Sequence, residues 1–360
     1  MTAPVDGRPV LVTGGAGFIG SNLADRLARD GHEVLVYDAL ARPGVETNLA
    51  WLQARHPRRV SAVVADIHDE GELNRAAAEA GVVFHLAAQV AVTTSMVAPG
   101  ADFAVNLQGT FAVLEALRRR RDGEAVPIVF ASTNKVYGNL ADVELRRDGD
   151  AYAPRDPGIR AHGIGEDRPL DFHTPYGCSK GAADQYVLDY ARSFGLPATV
   201  LRMSCIYGPR QMGTEDQGWI AHFLIRALRG EPISVYGDGC QVRDVLDVGD
   251  AVEAYLSAWA RIGAVQGRAF NLGGGPANAV SLRQVIASVG ELAGRPVEAR
   301  YADWRPGDQR YYVSDTRRAA RDLGLRPARP WREGVSALAR WLLDEHAAAA
   351  QERRAAEAVP

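Results

Sequence analysis

The chain has 360 residues, of which 47% are hydrophobic, and a formal net charge of −3, which fits one large enzyme domain or a large and a small one. The near-balanced charge gives no reason to expect nucleic acid or an anionic membrane as a partner, and no apolar run approaches the roughly 18–20 residues of a membrane span. Three scattered cysteines, no signal-peptide pattern and no histidine cluster with ligand spacing predict a cytoplasmic protein without a metal site.

The N-terminal segment predicts a dinucleotide site. Residues 9–13 form an apolar run typical of a buried parallel strand, and residues 21–27 have helical periodicity. The turn between them contains three regularly spaced glycines, Gly14, Gly17 and Gly20. Such glycines permit a tight turn and the close approach of the backbone to a pyrophosphate, which then lies at the positive end of a helix.

A second strand, residues 33–37, ends at Asp38, about twenty residues beyond the glycines. A carboxylate at this position accepts hydrogen bonds from the adenosine ribose and repels a 2′-phosphate. We therefore expect NAD rather than NADP. Arg42 is the alternative signal, because a guanidinium near that ribose is able to accommodate a phosphate.

Strand and helix patterns continue to alternate along the chain, with further candidate strands at residues 61–65, 82–86, 127–131, 198–202 and 269–272. This alternation predicts an α/β fold with a doubly wound parallel sheet, whose ligands bind beyond the carboxyl ends of the strands. We divide the chain into a dinucleotide-binding domain over 1–205 with a later contribution from about 240–275, a smaller mixed α/β substrate-binding domain over 206–345, and a frayed or disordered tail over 346–360.

Residues 139–174 interrupt the alternation. This stretch is charged and rich in Gly and Pro, so we expect a loop with little regular structure. Loops of this length in a compact enzyme are usually lids or binding loops. We expect this one to form the roof of the substrate pocket.

Lys180 is one of two lysines in a chain with thirty-nine arginines, and it follows Tyr176 by four residues in a segment that begins like a helix. Residues four apart share a helix face, so the phenol and the ammonium are able to point into one site. A nearby cation lowers the pKa of a phenol from about 10 towards neutral pH. The pair predicts a general base, and the alternative is a chance pair on the surface.

These motifs occur in a characteristic order, together with His85-Leu86-Ala87-Ala88, Asn106, Ser132-Thr133, Tyr207-Gly208-Pro209 and Val242-Arg243-Asp244-Val245. Over nearly the whole chain the sequence resembles the extended short-chain dehydrogenase/reductase superfamily. The resemblance implies a Rossmann fold, retained NAD, a nucleotide-diphosphate sugar as substrate and a homo-oligomer (dimer or tetramer). It also implies a catalytic trio in which Tyr176 takes a proton from a sugar hydroxyl, Thr133 hydrogen-bonds that hydroxyl, and Lys180 binds the nicotinamide ribose and keeps the tyrosine ionised.

On this pattern the expected NAD-binding residues are Gly14, Gly17, Phe18, Ile19, Gly20, Asp38, Arg42, Asp66, Ile67, Leu86, Ala87, Ala88, Asn106, Ser132, Tyr176, Lys180 and Met203. Asn106 either supports the site through backbone contacts or only packs. The candidate substrate-binding residues are Gln89, Thr133, Lys135, Cys205, Gln217, Trp219, Arg243, Arg305 and Arg310.

The substrate candidates differ in the chemistry that recommends them. The arginines are candidates for the diphosphate, because guanidinium groups bind phosphate in a bidentate manner. Lys135 either approaches the sugar or forms a structural salt bridge, and Cys205 is either a packing residue or a substrate contact. Gln217 and Trp219 either shape the sugar pocket or belong to the core.

Within the superfamily, five segments resemble the CDP-paratose 2-epimerases, also called CDP-tyvelose epimerases, namely Ser132–Gly138, Leu170–His173, Tyr176–Tyr186, Asp216–Trp219 and Asp308–Arg310. That family inverts C2 of a nucleotide-linked sugar. A 4,6-dehydratase of the superfamily would instead carry Asp and Glu directly after Thr133, where this chain has Asn134 and Lys135. The alternatives are a nucleotide-sugar 4-epimerase and a non-catalytic NAD-sensing protein.

Overall fold

The computed structural model describes residues 7–120, 122–305 and 307–357, with side chains described as far as residue 345. Its strands are β1 (Val10–Thr13), β2 (Val34–Asp38), β3 (Val60–Val64), β4 (Val82–His85), β5 (Ile128–Thr133), β6 (Leu145–Asp148), β7 (Ala151–Pro154), β8 (Ala198–Met203), β9 (Cys205–Tyr207), β10 (Ile233–Tyr236), β11 (Val242–Asp247), β12 (Arg268–Leu272), β13 (Ala279–Ser281), β14 (Ala299–Ala302) and β15 (Tyr311–Tyr312).

The helices are α1 (Phe18–Arg29), α2 (Val45–Arg55), α3 (Glu70–Glu79), α4 (Val92–Val97), α5 (Pro99–Phe103), α6 (Gly109–Arg118), α7 (Pro157–His162), α8 (Thr174–Phe194), α9 (Trp219–Arg229), α10 (Val248–Ala260), α11 (Ile262–Val265), α12 (Leu282–Ala293), α13 (Arg317–Leu323) and α14 (Trp331–Glu357). A π-helical turn, Ala104–Gln108, joins α5 to α6, and 3₁₀ turns occupy Asn134–Tyr137 and Pro276–Asn278.

A seven-stranded parallel sheet lies at the centre, in the order β12-β8-β5-β4-β1-β2-β3. Each of the seven candidate strands forms one of its strands, with ends that differ by one or two residues. The strand order reverses between β1 and β4, the type of switch point at which doubly wound sheets bind their ligands. The predicted fold class is therefore confirmed.

Helices cover both faces of this sheet, because its strands are apolar on both sides. In β1, Val10 and Val12 pack in a core with α1, α2 and α10, whereas Leu11 packs in the opposite core with α3, α6 and α8. All three side chains are fully buried. Buried parallel strands are continuously hydrophobic for this reason.

The second half of the chain builds smaller sheets. Strand β11 pairs with β9, β13 and β15, while β10 pairs with β14. A third core joins these strands, except β15, to α9, α12 and α14. Strand β12 and helix α10 return to the large sheet. On this arrangement we base the proposed division into a dinucleotide-binding and a substrate-binding domain.

The predicted tail, residues 346–360, is helical as far as Glu357, and residues 358–360 lie outside the described part of the chain. Within the described residues, no helix combines the length and the apolar character that crossing a membrane requires.

The prediction that residues 139–174 carry little regular structure is wrong. Strands β6 and β7 pair as an antiparallel hairpin, and α7 follows them. The segment has a small core of its own, in which Leu140, Val143 and Ile164 pack against Tyr137 and Tyr312. Its apolar residues are spaced too sparsely among Gly, Pro and charged residues for the strands to be visible in the sequence.

A buried ion pair fixes α8 against the sheet. Asp184 of α8 receives two hydrogen bonds of 2.9 Å from the guanidinium of Arg202 on β8, and the Ser132 hydroxyl donates to the same carboxylate at 2.7 Å. Tyr137 lies beside Arg202 and donates its hydroxyl to Asn271 on β12 at 2.7 Å. Through these hydrogen bonds the pair connects α8 with β5, β8 and β12.

We predict that Asp184→Asn lowers the free energy of unfolding by about 3–5 kcal/mol, because it leaves the Arg202 charge buried without its partner. Asp189→Asn, which removes an exposed partner of Arg192 on the same helix, is the matched control and should cost at most about 1 kcal/mol. Urea unfolding of both variants at equal NAD occupancy measures the difference. Equal, small losses in the two variants would contradict the role given to the buried pair.

Candidate active site

A cavity of about 280 Å³ runs along the carboxyl edge of the large sheet. Of the seventeen residues predicted to bind the dinucleotide, all except Asn106 line it: Gly14, Gly17, Phe18, Ile19, Gly20, Asp38, Arg42, Asp66, Ile67, Leu86, Ala87, Ala88, Ser132, Tyr176, Lys180 and Met203. The structure therefore brings together residues that lie nearly two hundred positions apart in the sequence.

The glycine turn brings backbone atoms so close together that side chains do not fit. Gly14 has φ of +70°, and a Cβ there would lie 2.7 Å from the amide nitrogen of Ala87. A Cβ on Gly20 would lie 2.2 Å from the carbonyl oxygen of Gly14. Helix α1 begins at Phe18 without a side-chain cap, so the amides of its first turn remain available to an anion such as a diphosphate.

The far end of this cavity fits an adenosine ribose without a 2′-phosphate. The Asp38 carboxylate accepts hydrogen bonds from the amides of Ala16 at 3.0 Å and Leu40 at 2.9 Å. Arg42, the alternative signal for NADP, donates to the side chain of Gln217 and to the carbonyl of Met212 at 2.9 Å. Its guanidinium is therefore engaged by the chain, which leaves Asp38 to select the ribose.

The predicted catalytic trio meets at the other end. Tyr176 and Lys180 are both buried in the first turns of α8, and Thr133, the last residue of β5, hydrogen-bonds the Tyr176 phenol. The Lys180 ammonium lies 4.2 Å from the centroid of the Phe130 ring. The pair is not a chance pair on the surface.

The expectation that Lys180 lowers the pKa of Tyr176 towards neutral pH is wrong for the protein residues alone. Burial raises the pKa of Tyr176 to about 12, and the charge of Asp102 adds to this rise, whereas the hydrogen bond with Thr133 opposes it. Burial also lowers the pKa of Lys180 to about 7, against the opposing charges of Asp184 and Asp102. Desolvation is the largest cause of both shifts.

Asn106 lies behind the cavity and not in its wall. Its amide group donates to Ser179 at 3.1 Å and to the carbonyl of Gln89 at 3.0 Å, and it accepts from the backbone amide of Gln89 at 2.9 Å. Of the two predicted alternatives, the structure shows support of the site, through the side chain as well as the backbone. Asp102, a buried carboxylate in the same network, was not predicted, because one Asp in a short helix gives no sequence signal.

A second cavity, of about 240 Å³, adjoins the first, and Val90 and Gln217 line both. Six of the predicted substrate-binding residues line it, namely Lys135, Cys205, Gln217, Trp219, Arg243 and Arg305. It also contains residues that were not predicted to bind the substrate, among them Glu215, Asp216, Tyr236, Gln241 and Asp308. No residue of the segment 139–174 lines either cavity, so this segment does not roof the site as predicted.

Three predicted substrate residues lie elsewhere. The side chain of Gln89 turns into the protein, where it donates to the carbonyl of Ala91 at 2.8 Å. Arg310 is exposed, with its guanidinium beside the rings of Tyr152 and Trp304, so the structure does not bring it to the site. Thr133 does not line the second cavity and reaches the site through Tyr176.

The second cavity contains several charged side chains among apolar ones. Lys135 donates to the carbonyl of Gly307 at 3.0 Å, and burial, together with the nearby charge of Arg243, lowers its pKa to about 8. Among the described residues no carboxylate forms an ion pair with Lys135, so the structural salt bridge considered for it is not observed. Arg243 itself pairs with Asp308 at 2.6 Å.

Two further groups complete the wall of the second cavity. Trp219 donates its ring N–H to the sulfur of Cys205 at 3.4 Å, and burial raises the pKa of that thiol, so Cys205 is not an activated nucleophile. Gln241 is buried, and its side-chain oxygen has no hydrogen-bond partner among the described residues. A ligand that donates a hydrogen bond would satisfy this oxygen.

A glycine-lined dinucleotide cavity that ends at a buried Tyr–Lys pair and adjoins a second cavity with charged side chains is typical of an enzyme with a nicotinamide cofactor. The chain belongs to the NAD dependent epimerase/dehydratase family, whose model matches residues 10–273. The predicted cofactor, NAD, is thereby confirmed.

Relatives within this family catalyse several reactions. The chain is 38% identical to the CDP-paratose 2-epimerase of Salmonella typhi, over 92% of this chain and 98% of that protein. It is 33% identical to a dTDP-glucose 4,6-dehydratase of Neisseria meningitidis, over 94% of both chains. The solved structure of the UDP-glucose 4-epimerase of Thermus thermophilus in complex with NAD is 33% identical in sequence and superposes with a TM-score of 0.77. The match covers 92% of this chain and 98% of the Thermus thermophilus chain.

We predict that NAD, and not NADP, copurifies with the protein, because the glycine turn and Asp38 form a dedicated site and Arg42 is engaged elsewhere. Mass spectrometry of the dinucleotide released on denaturation measures this. Gly20→Ala should lose most of the bound NAD, since its Cβ collides with the turn, whereas Gly263→Ala, at an exposed position with open space and no positive φ, should retain it. NADP in the wild-type protein would show that Arg42 outweighs Asp38.

Proposed function

We propose that the protein is an NAD-dependent nucleotide-sugar 2-epimerase, which inverts C2 through a transient 2-keto sugar. The observation that carries this proposal is the pair of residues that follows Thr133. A dehydratase needs an acid and a base there, but Asn134 donates to Gln309 at 3.3 Å and Lys135 is an amine. The similarity to a CDP-paratose 2-epimerase supports C2 as the carbon that reacts.

The carboxylates that do line the second cavity are poor substitutes for the missing acid and base. Asp308 pairs with Arg243, while Glu215 and Asp216 lie 3.6 and 3.3 Å from Arg305. Ion pairing stabilises the charged form of a carboxylate and opposes its use as an acid. An epimerase needs only one base and a cofactor.

The residues of the trio have distinct roles in the proposed reaction. Tyr176 accepts the proton of the C2 hydroxyl and returns it after inversion, and Thr133 holds the oxygen of that hydroxyl. Bound NAD supplies the acceptor and donor of hydride. Lys180, in its protonated form, stabilises the phenolate against the effect of burial.

The nucleotide must remain anchored while the keto sugar turns its other face towards the cofactor. Arg243, Arg305 and Lys135 provide positive charge in the second cavity for the diphosphate. Val90 and Gln217, which line both cavities, mark the place where the sugar would turn.

The formation of a homo-oligomer remains a prediction.

A nucleotide-sugar 4-epimerase is the second candidate, because the solved Thermus thermophilus 4-epimerase shares the fold at 33% identity. The same trio would serve a reaction at C4. The assay therefore uses CDP-, UDP-, dTDP- and GDP-linked sugars, and NMR of the products identifies the inverted carbon. Inversion at C4 with C2 unchanged would transfer the assignment to the 4-epimerases.

We predict that Tyr176→Phe lowers kcat by about 10²–10⁴-fold, the usual loss on removal of a general base. Thr133→Val should cost less, since the proton acceptor remains. Tyr186→Phe, at an exposed tyrosine of the same helix, is the matched control and should leave kcat unchanged. Near-normal turnover by folded, NAD-containing Tyr176→Phe protein would refute the assignment of the base.

A reaction in D₂O tests the route of the hydrogen. Since hydride leaves C2 and returns to its opposite face within one closed site, we expect the product to carry protium at C2. The NMR spectrum of the epimerised sugar measures this directly. Deuterium at C2 would instead indicate abstraction of a proton from carbon and a mechanism without hydride transfer.

A further inference from the structure

A buried carboxylate lies directly behind the catalytic pair. Asp102 of α5 is fully buried and accepts hydrogen bonds from the Ser179 hydroxyl, from the Gln89 amide at 3.0 Å and from the Asn106 amide at 3.1 Å. Within the described ranges of the chain, no Lys, Arg or His forms an ion pair with it. A buried carboxylate without a cationic partner is costly, so its charge calls for an explanation beyond packing.

The donors to Asp102 belong to the segments that build the site. Ser179 lies on α8, between Tyr176 and Lys180. Gln89 immediately precedes Val90, whose side chain lines both cavities. Asn106 lies in the π-helical turn, a distortion that is frequent at functional sites. One carboxylate therefore connects the base-bearing helix with the wall between the two cavities.

The other titratable groups near Lys180 are Asp184, which also raises the pKa of Lys180, and His85. Asp184, one turn further along α8, is paired with Arg202. His85 of β4 is fully buried, and burial lowers its pKa to about 3, so it is uncharged at neutral pH. Tyr176 is the remaining titratable neighbour. Burial raises the pKa of the Asp102 carboxyl, whereas the hydrogen bond from Ser179 and the charge of Lys180 lower it, so Asp102 and Lys180 favour each other's charged form.

We propose that Asp102 is a positioning residue of the reaction, whose carboxylate places a negative charge near Lys180 and, through Ser179 and Gln89, fixes the first turns of α8 against the wall between the cavities. The catalytic part of this proposal rests on the proposed function, whereas its electrostatic part concerns Lys180 alone and needs no substrate to be tested.

The direction of the effect follows from the charges. Asp102 raises the pKa of Lys180, and it also raises the pKa of Tyr176. Replacement of Asp102 by a neutral residue should therefore lower the pKa of Lys180 and the pKa of Tyr176. In a bell-shaped pH profile, both limbs should then move to lower pH, which a purely structural defect would not cause.

The two lysines of the chain make the test direct. Lysine labelled with ¹³C at Cε gives two NMR signals, and Lys135→Arg identifies the signal of Lys180. We expect Asp102→Asn, in the protein purified with its NAD, to lower the titration midpoint of Lys180 by about one pH unit and to leave that of Lys135 in place. Asp69→Asn, at an exposed helix cap, is the matched control and should move neither signal.

An unchanged Lys180 midpoint in folded Asp102→Asn protein overturns the electrostatic part of the proposal. Ser179→Ala removes one hydrogen-bond donor to the carboxylate and should lower kcat about tenfold, while Ser179→Thr restores kcat. Full activity of Ser179→Ala overturns the positioning part, even if Asp102→Asn does not fold. A shifted midpoint in a protein that epimerises no sugar would support the proposal and refute the proposed function.

Discussion

The position of helix α8 depends on the buried pair between Asp184 and Arg202. The pair joins the helix to β8, and the Ser132 hydroxyl extends the network to β5. Buried ion pairs add little net stability, but removal of one partner is costly, so they are well suited to fix one arrangement. As a result, Tyr176 and Lys180 lie over the carboxyl ends of the strands, beside Thr133.

With α8 held in this position, two adjoining cavities have different proposed ligands. The glycine turn and Asp38 shape the first cavity for a dinucleotide, and in the proposed reaction the arginine and lysine side chains of the second cavity bind the diphosphate. The proposed reaction therefore takes place where the two cavities meet. The absence of a carboxylate directly after Thr133 separates the proposed epimerisation from dehydration on the same fold.

Much of the fold and of the cofactor site could be predicted because their signals are local. A buried parallel strand is a continuous apolar run, and the close backbone contacts at Gly14 and Gly20 admit only glycine. The hairpin of β6 and β7 was missed, since short strands among charged residues have no clear period. Arg310 was predicted to bind the substrate because it lies in a recognisable sequence motif. Its packing on Tyr152 and Trp304 is visible only in the structure.

The properties that depend on burial could not be predicted at all. Spacing places the ammonium of Lys180 and the phenol of Tyr176 on one face, but desolvation decides their pKa values. Asp102 contributes through contacts with Ser179 and Gln89, which the fold alone brings together. The pKa of the proposed base, Tyr176, therefore depends on the tertiary structure and not on local sequence.

The central claim is that one site removes a hydride from C2 and returns it to the same sugar. A crossover experiment tests it most directly, with a mixture of unlabelled substrate and substrate that carries deuterium at C2 and ¹³C in the sugar ring. Mass spectrometry of the epimerised product should find the deuterium only in ¹³C-containing molecules. Deuterium in unlabelled sugar, or its loss to water, would contradict the account.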